Sequence, residues 1–169
     1  MGVPYNIKDV SDDALHLKNL MDGILERIYS VYQSYNVPLP ARCYWIMGTP
    51  AIDCEQLVVS FNQLYLGPPG DQASSPQRCN MPRTAVVEIL VSREVVTVGQ
   101  GGRAPSGEKI QEASVPSAVD AWLLMESLNL FDQWDENGGY GLGVIATVEA
   151  MGPEGGFSSV SMQLTMAVP

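Results

Sequence analysis

The stretch Phe157-Ser158-Ser159-Val160-Ser161-Met162-Gln163-Leu164-Thr165-Met166-Ala167-Val168 decides the fold. Val160, Met162, Leu164, Met166 and Val168 alternate with Ser159, Ser161, Gln163, Thr165 and Ala167, the period-two pattern of a strand with one dry face and one neutral polar face. A half-buried strand needs a neighbour, and residues 142–149 (LGVIATVE) supply a β-branched, apolar one just upstream. The link Met151-Gly152-Pro153-Glu154-Gly155-Gly156 carries the glycines and proline of a hairpin connection, so the two runs are predicted to pair antiparallel.

Ahead of this hairpin, Ser117-Ala118-Val119-Asp120 reads as a capping box that opens a helix, and Asn137-Gly138-Gly139 reads as its end. Between them lie Val119, Trp122, Leu123, Leu124, Met125, Leu128, Leu130, Phe131 and Trp134, too many apolar residues for one core-facing stripe. One side is expected to cover the dry face of the sheet. The other needs a second cover, from elsewhere in the chain or from another copy of it; a helix buried all round in a larger core is the plainer alternative.

At the other end of the chain, Leu17, Leu20, Met21, Ile24, Leu25, Ile28, Val31, Tyr32 and Tyr35 recur at steps of three and four. They predict an amphipathic helix over residues 11–35, with Ser11 as N-cap and Asp12 and Asp13 at its positive end. Pro38 and Pro40 stop it, and residues 41–49 read as an extended, aromatic-bearing connector. Residues 54–66 are read as a strand with Leu57, Val59, Phe61 and Tyr65 on one side. A second strand follows over residues 84–96, with Ala85, Val87, Ile89 and Val91 facing one way and Thr84, Glu88 and Ser92 the other.

The connection between those strands, residues 67–82, holds Gly67, Pro68, Pro69, Gly70, Asp71, Pro76 and Pro82 and cannot be regular structure. A loop of that length in a small domain is functional or disordered, and its prolines favour a contact arm. A Gly-rich loop (residues 98–105) leads to a short helix over residues 106–113. The order helix, two strands, helix, two strands predicts an α+β domain in which about four antiparallel strands pack against two main helices.

The chain has 169 residues, enough for a single domain with one good core. Hydrophobic residues make up 46% and charged ones 17%, too apolar for a disordered chain and undercharged for a freely soluble monomer. A net charge of -10 with 9 Lys and Arg argues against a protein that grips nucleic acid along its backbone. No apolar run reaches membrane-spanning length and residues 1–10 lack the pattern of a secretory signal, so the cytoplasm is the expected compartment. Cys43, Cys54 and Cys79 have no metal-ligand spacing and read as free thiols, with a Cys54 to Cys79 bridge as the alternative.

Recognisable chemistry is not expected. Residues 102–109 (GRAPSGEK) imitate a phosphate-binding loop, but Glu108 stands where the lysine belongs and no Ser or Thr follows Lys109. A surface loop entering a helix at Ser106, with Glu108 near the positive end, accounts for it. A nucleophile built on Cys54 or a serine needs a base, and His16 is the only histidine. The acids Asp132, Asp135 and Glu136 sit unfavourably at a helix C-terminus, which makes a case for a basic partner. Arg78, Arg83, Arg93 and Arg103 lie in or beside the loops where a neighbouring subunit could reach them.

Four segments carry a resemblance: residues 54–71 (CEQLVVSFNQLYLGPPGD), 76–80 (PQRCN), 117–134 (SAVDAWLLMESLNLFDQW) and 139–169 (GYGLGVIATVEAMGPEGGFSSVSMQLTMAVP). Together they resemble neck proteins of long-tailed bacteriophages, most closely the tail terminator family of phages infecting actinobacteria. The likeness spans residues 38–169 and rests on several stretches in order, not on one diagnostic motif. It implies a non-enzymatic virion protein, assembled in the host cytoplasm without a cofactor. Such a protein forms a ring of six copies that caps the tail tube, docks it to the head connector and lets DNA pass without specific binding. The subunit interface would then draw on Pro68, Pro69, Asp71, Arg78, Arg83, Arg93, Arg103, Trp122, Asp132 and Asp135. A head-completion or stopper protein and a tail tube subunit are the neighbouring alternatives; a small ligand-binding domain or enzyme without a recognisable motif is the alternative of another class.

Overall fold

Val160, Met162, Leu164 and Met166 are fully buried in a strand at the heart of a five-stranded sheet. The structure, a computed structural model, describes residues 12–70, 83–96, 104–132 and 144–168. Its elements are α1 (Asp12–Ser34), β1 (Arg42–Met47), β2 (Gln56–Leu66), β3 (Arg83–Glu94), α2 (Gly107–Asp132), β4 (Val144–Glu154) and β5 (Phe157–Val168). The strands lie in the order β1-β2-β3-β5-β4. Both helices pack on one face, where Leu20, Ile24, Ile28 and Tyr32 of α1 and Leu123 and Leu124 of α2 meet Leu57, Val59, Val87, Ile89, Met162 and Leu164 of the sheet.

The C-terminal hairpin forms as its alternation predicts. β4 and β5 pair antiparallel from Val144↔Met166 to Glu154↔Phe157, with a register shift between Met151 and Glu154 that takes up Gly152 and Pro153. Gly155 and Gly156 close the turn at φ of 60° and 93°, the left-handed pair that a two-residue hairpin matched to strand twist requires.

Three expectations are corrected. The sheet is five-stranded and mixed, because residues 42–47 of the supposed connector form β1, parallel to β2 with Arg42↔Gln56 and Met47↔Phe61 in register. Residues 48–55 make the crossover. Gln56 holds it by donating from Nε2 to the Ala51 carbonyl (2.6 Å), and its Oε1 accepts from the Tyr44 hydroxyl (2.9 Å).

Second, Tyr65 does not share a face with Leu57, Val59 and Phe61. A bulge between Phe61 and Gln63 shifts the register, so Leu64 faces Ala85 and Tyr65 faces Thr84, and one extra residue turns every later side chain over.

Third, Ser117 does not open a helix. α2 begins at Gly107 and runs through Pro116, with Ser106 Oγ accepting from the Lys109 N–H (3.4 Å). An interior proline costs about 3 kcal/mol; the buried side chains of Asp120, Leu123, Leu124 and Ser127 beyond it offset that. The Ser117 hydroxyl meets Ser158 of β5 at 2.7 Å, where a cap would have turned to its own backbone. Ser11, Cys79 and residues 137–139 lie outside the described residues.

Candidate functional site

α2 is set in place by a buried polar clamp. Arg93 of β3 donates to Asp120 twice, Nε to Oδ2 at 2.8 Å and Nη2 to Oδ1 at 2.9 Å. Its Nη2 also reaches the Pro38 carbonyl (3.1 Å), and the Tyr32 hydroxyl of α1 donates to Asp120 Oδ1 (2.7 Å). All three side chains are buried. Desolvation pulls the Arg93 guanidinium down, but the bonds and charge of Asp120 leave it raised. Burial first, and the Asp120 charge second, push the Tyr32 phenol well above its ordinary value. Both Asp120 oxygens, the Tyr32 hydroxyl and the Nε and Nη2 of Arg93 are engaged inside the protomer, so the cluster acts as a brace for α2.

With Asp120, Leu123 and Leu124 turned inward, α2 presents its other side to solvent. Trp122 is 49% exposed, Met125 50% and Val115 56%, and Ala118 is exposed between them. Counted at 100° per residue these four fall within one face. From Ala113 to Met125 the only charged residue is Asp120, and it is buried, so no charge falls among these four; half-exposed Glu126 borders the face one turn beyond Trp122. Tyr35, just beyond α1, extends it: its ring meets Trp122 edge to face, centroids 4.8 Å apart at 83°.

The sheet face away from the helices differs in character. Glu88, Thr147, Glu149, Ser161 and Gln163 line an open polar cleft of about 160 Å³. Glu88 accepts from Ser161 (2.7 Å) and from Asn62 Nδ2 (3.2 Å). Its carboxylate is therefore partnered on both oxygens. Among the described residues no group of three or more His, Cys, Asp or Glu is placed to hold a metal ion. Cys43 and Cys54 are free thiols, and burial raises the Cys43 thiol above its ordinary value, opposite to what a reactive thiolate needs.

No family model and no curated protein matches this chain. The functional reading therefore rests on surfaces.

Of the residues expected at a subunit interface, Trp122 lies on the exposed α2 face. Arg83 is exposed at the start of β3, and Pro68 is exposed beside half-buried Pro69 where the β2–β3 connection leaves the sheet. Gly70 follows at φ 89°, close against the Ile145 side chain of β4. Arg93 is a correction: it is enclosed against Asp120 and cannot reach a neighbour. Asp71, Arg78, Arg103 and Asp135 lie outside the described residues, as does the side chain of Asp132.

Sequence reasoning missed the clamp. Its one local trace was a lone acid inside an apolar helix run and a lone arginine closing an apolar strand, two buried charges that each call for a partner.

Proposed function

We propose that this protein is a non-enzymatic structural subunit of a virion neck, a tail terminator whose copies form a ring, by family habit of six, between tail tube and head connector. The observation that carries the reading is the exposed apolar face of α2. Val115, Ala118, Trp122 and Met125 form a contiguous surface with no interruption by charge, the kind a protein keeps for a dry contact with another protein. Its energetic centre would be Trp122, an aromatic anchor braced by Tyr35. The resemblance of residues 54–71, 117–134 and 139–169 to tail terminators supplies the identity of that contact.

Electrostatics supports the same assignment. A net charge of -10, with Glu88 and Glu149 on the sheet face away from the helices, repels phosphate. That suits a wall past which DNA slides without being held.

Removal of the protein from its phage tests the reading. Tails of irregular or excessive length are the expected outcome; filled heads that leak DNA beside tails of normal length would assign it to the stopper instead. In the complemented phage, Trp122→Ser with Met125→Ser should reproduce the deletion phenotype although the protein accumulates in folded form.

A further inference from the structure

Among the described residues the two outer edges of the sheet are unpaired, and they fit one another. β1 and β4 are the outermost strands, and they run in opposite directions. β1 is parallel to β2, and each later step, β2 to β3, β3 to β5 and β5 to β4, is antiparallel. A second copy placed beside the first in the same orientation therefore brings its β1 antiparallel to the first copy's β4.

The backbone groups agree. The Gly48 N–H donates to the Phe61 carbonyl of β2 (2.9 Å). Backbone groups of successive residues turn to opposite sides of a strand, so those of Cys43, Trp45 and Met47 face the open edge. The Val95 N–H of the β3 side donates to the Gly156 carbonyl (2.9 Å), so the even-numbered residues of β5 bond to β3 and the odd-numbered ones to β4. The partners of the even-numbered set, Val144, Ala146 and Val148, consequently turn their own backbone groups outward. Cys43, Trp45, Ala146 and Val148 all pack their side chains toward the helix-covered core. Edges joined through these residues keep the helices of both copies on one side of a continuous sheet.

One register satisfies the side chains as well. With Trp45 opposite Ala146 and Cys43 opposite Val148, the other face sets Ile46 against Ile145, Tyr44 against Thr147 and Arg42 against Glu149. Arg42 is the one charged residue of β1, and Glu149 is the one charged residue between Val144 and Met151 of β4. Within its own protomer Arg42 makes an exposed 3.5 Å contact with Asp53. Met47 is 58% and Ile145 48% exposed, so apolar surface at both edges gains cover. Neither β1 nor residues 144–151 of β4 contain a proline, a lysine or a bulge, the devices that normally keep an edge from pairing; Pro153 and the register shift lie beyond the paired stretch. The Tyr29 hydroxyl, 3.5 Å from the Cys43 carbonyl, is the one side-chain donor at the β1 edge among the described hydrogen bonds.

We infer that β4 of one copy pairs antiparallel with β1 of the next in this register. The contact is heterologous, so repeating it closes a ring or extends a filament. The pairing rests on the ring reading for closure alone.

Two variants test it by mixing. In full-length chain with Cys43, Cys54 and Cys79 replaced by Ser, one preparation carries Ile46→Cys and the other Ile145→Cys. The two positions would be a non-hydrogen-bonded pair with Cα atoms about 4.5 Å apart, within disulfide reach. Mild oxidation should link the mixture and neither preparation alone. Linkage of the Ile145→Cys chain to itself, or no linkage in the mixture, overturns the pairing.

The native-cysteine chain supplies the second measurement, self-association by sedimentation. Arg42→Glu or Glu149→Arg should each weaken it about tenfold, and the double exchange should restore most of it. Association indifferent to both single reversals overturns the pairing and leaves the ring reading standing. Successful linkage and rescue, in a phage whose tail length is unchanged by deletion of the protein, would uphold the pairing and remove the terminator reading.

Discussion

Leu123 and Leu124 of α2 are buried against the sheet, while Trp122 and Met125, on either side of them in sequence, stand half in solvent. The two sides of this helix contain the same class of residue, and what separates them is a single charge. Asp120 reaches Arg93 and Tyr32, and that fixes the rotation of the helix about its axis: once the acid points inward, the residues near 180° from it must point outward. A helix with apolar residues all round has no unique orientation from hydrophobicity alone. The clamp supplies one, and so determines which apolar face is left for a partner.

The sharpest way to break this comparison is Asp120→Ala. It leaves the Arg93 guanidinium buried without its carboxylate and the Tyr32 hydroxyl without its acceptor. Breaking a buried pair from one side costs about 3–5 kcal/mol, to be read as a lowered midpoint in urea unfolding. Replacing the whole cluster by apolar residues of similar volume should recover most of that loss, but with an α2 orientation that is less unique.

Leu124→Ala probes the inward face without touching the charge. Leu124 is fully buried, and a cavity there should cost about 2–4 kcal/mol, again by urea unfolding. The same truncation at Met125, one residue on, should fall within about 0.5 kcal/mol. If the two cost alike, the division of α2 into an inner and an outer side is wrong.

Titration examines the clamp more gently. The Tyr32 phenol is raised by burial and by the Asp120 charge above its ordinary value of about 10, so the folded chain holds that proton after the unfolded chain has lost it. The stability this contributes is complete below about pH 10 and falls as the pH rises further, by up to about 1.4 kcal/mol per pH unit. Tyr32→Phe should be less stable than the parent at pH 7 by about 1–2 kcal/mol. The gap should narrow by about 1.4 kcal/mol at pH 11, and a gap that widens instead would mean that Tyr32 ionises readily in the folded protein.

How far the sequence could be read follows the range of the forces involved. β5, β3 and the apolar face of α1 are legible because alternation and the three-four spacing record burial residue by residue. β1 was not: its identity comes from pairing with β2 and from the Tyr44–Gln56–Ala51 bonds that tie down residues 48–55, none of which leaves a periodic trace in six residues. Tyr65 was misplaced because a bulge has no composition of its own. Pro116 and Ser117 gave a sound local signal for a helix start that tertiary packing overrode. Arg93 read as an exposed interface residue because its partner lies 27 positions away, and local sequence does not encode that distance.

A small effect on stability should come from Trp122, and it separates the two faces most directly. Trp122→Ser removes an aromatic edge contact with Tyr35 and no core packing. Such a pair is worth about 0.5–1.5 kcal/mol beyond its area, and here both rings are about half exposed, so the cost should lie near the lower end. A double-mutant cycle with Tyr35→Ala measures the coupling without assumptions about either ring alone. The variant should keep its unfolding midpoint nearly unchanged and yet lose assembly into the particle, the reverse of Leu124→Ala, whose fraction that remains folded should still assemble. Loss of stability at Trp122 comparable to that at Leu124 would show that the exposed face serves this protomer's own fold and has no partner to wait for.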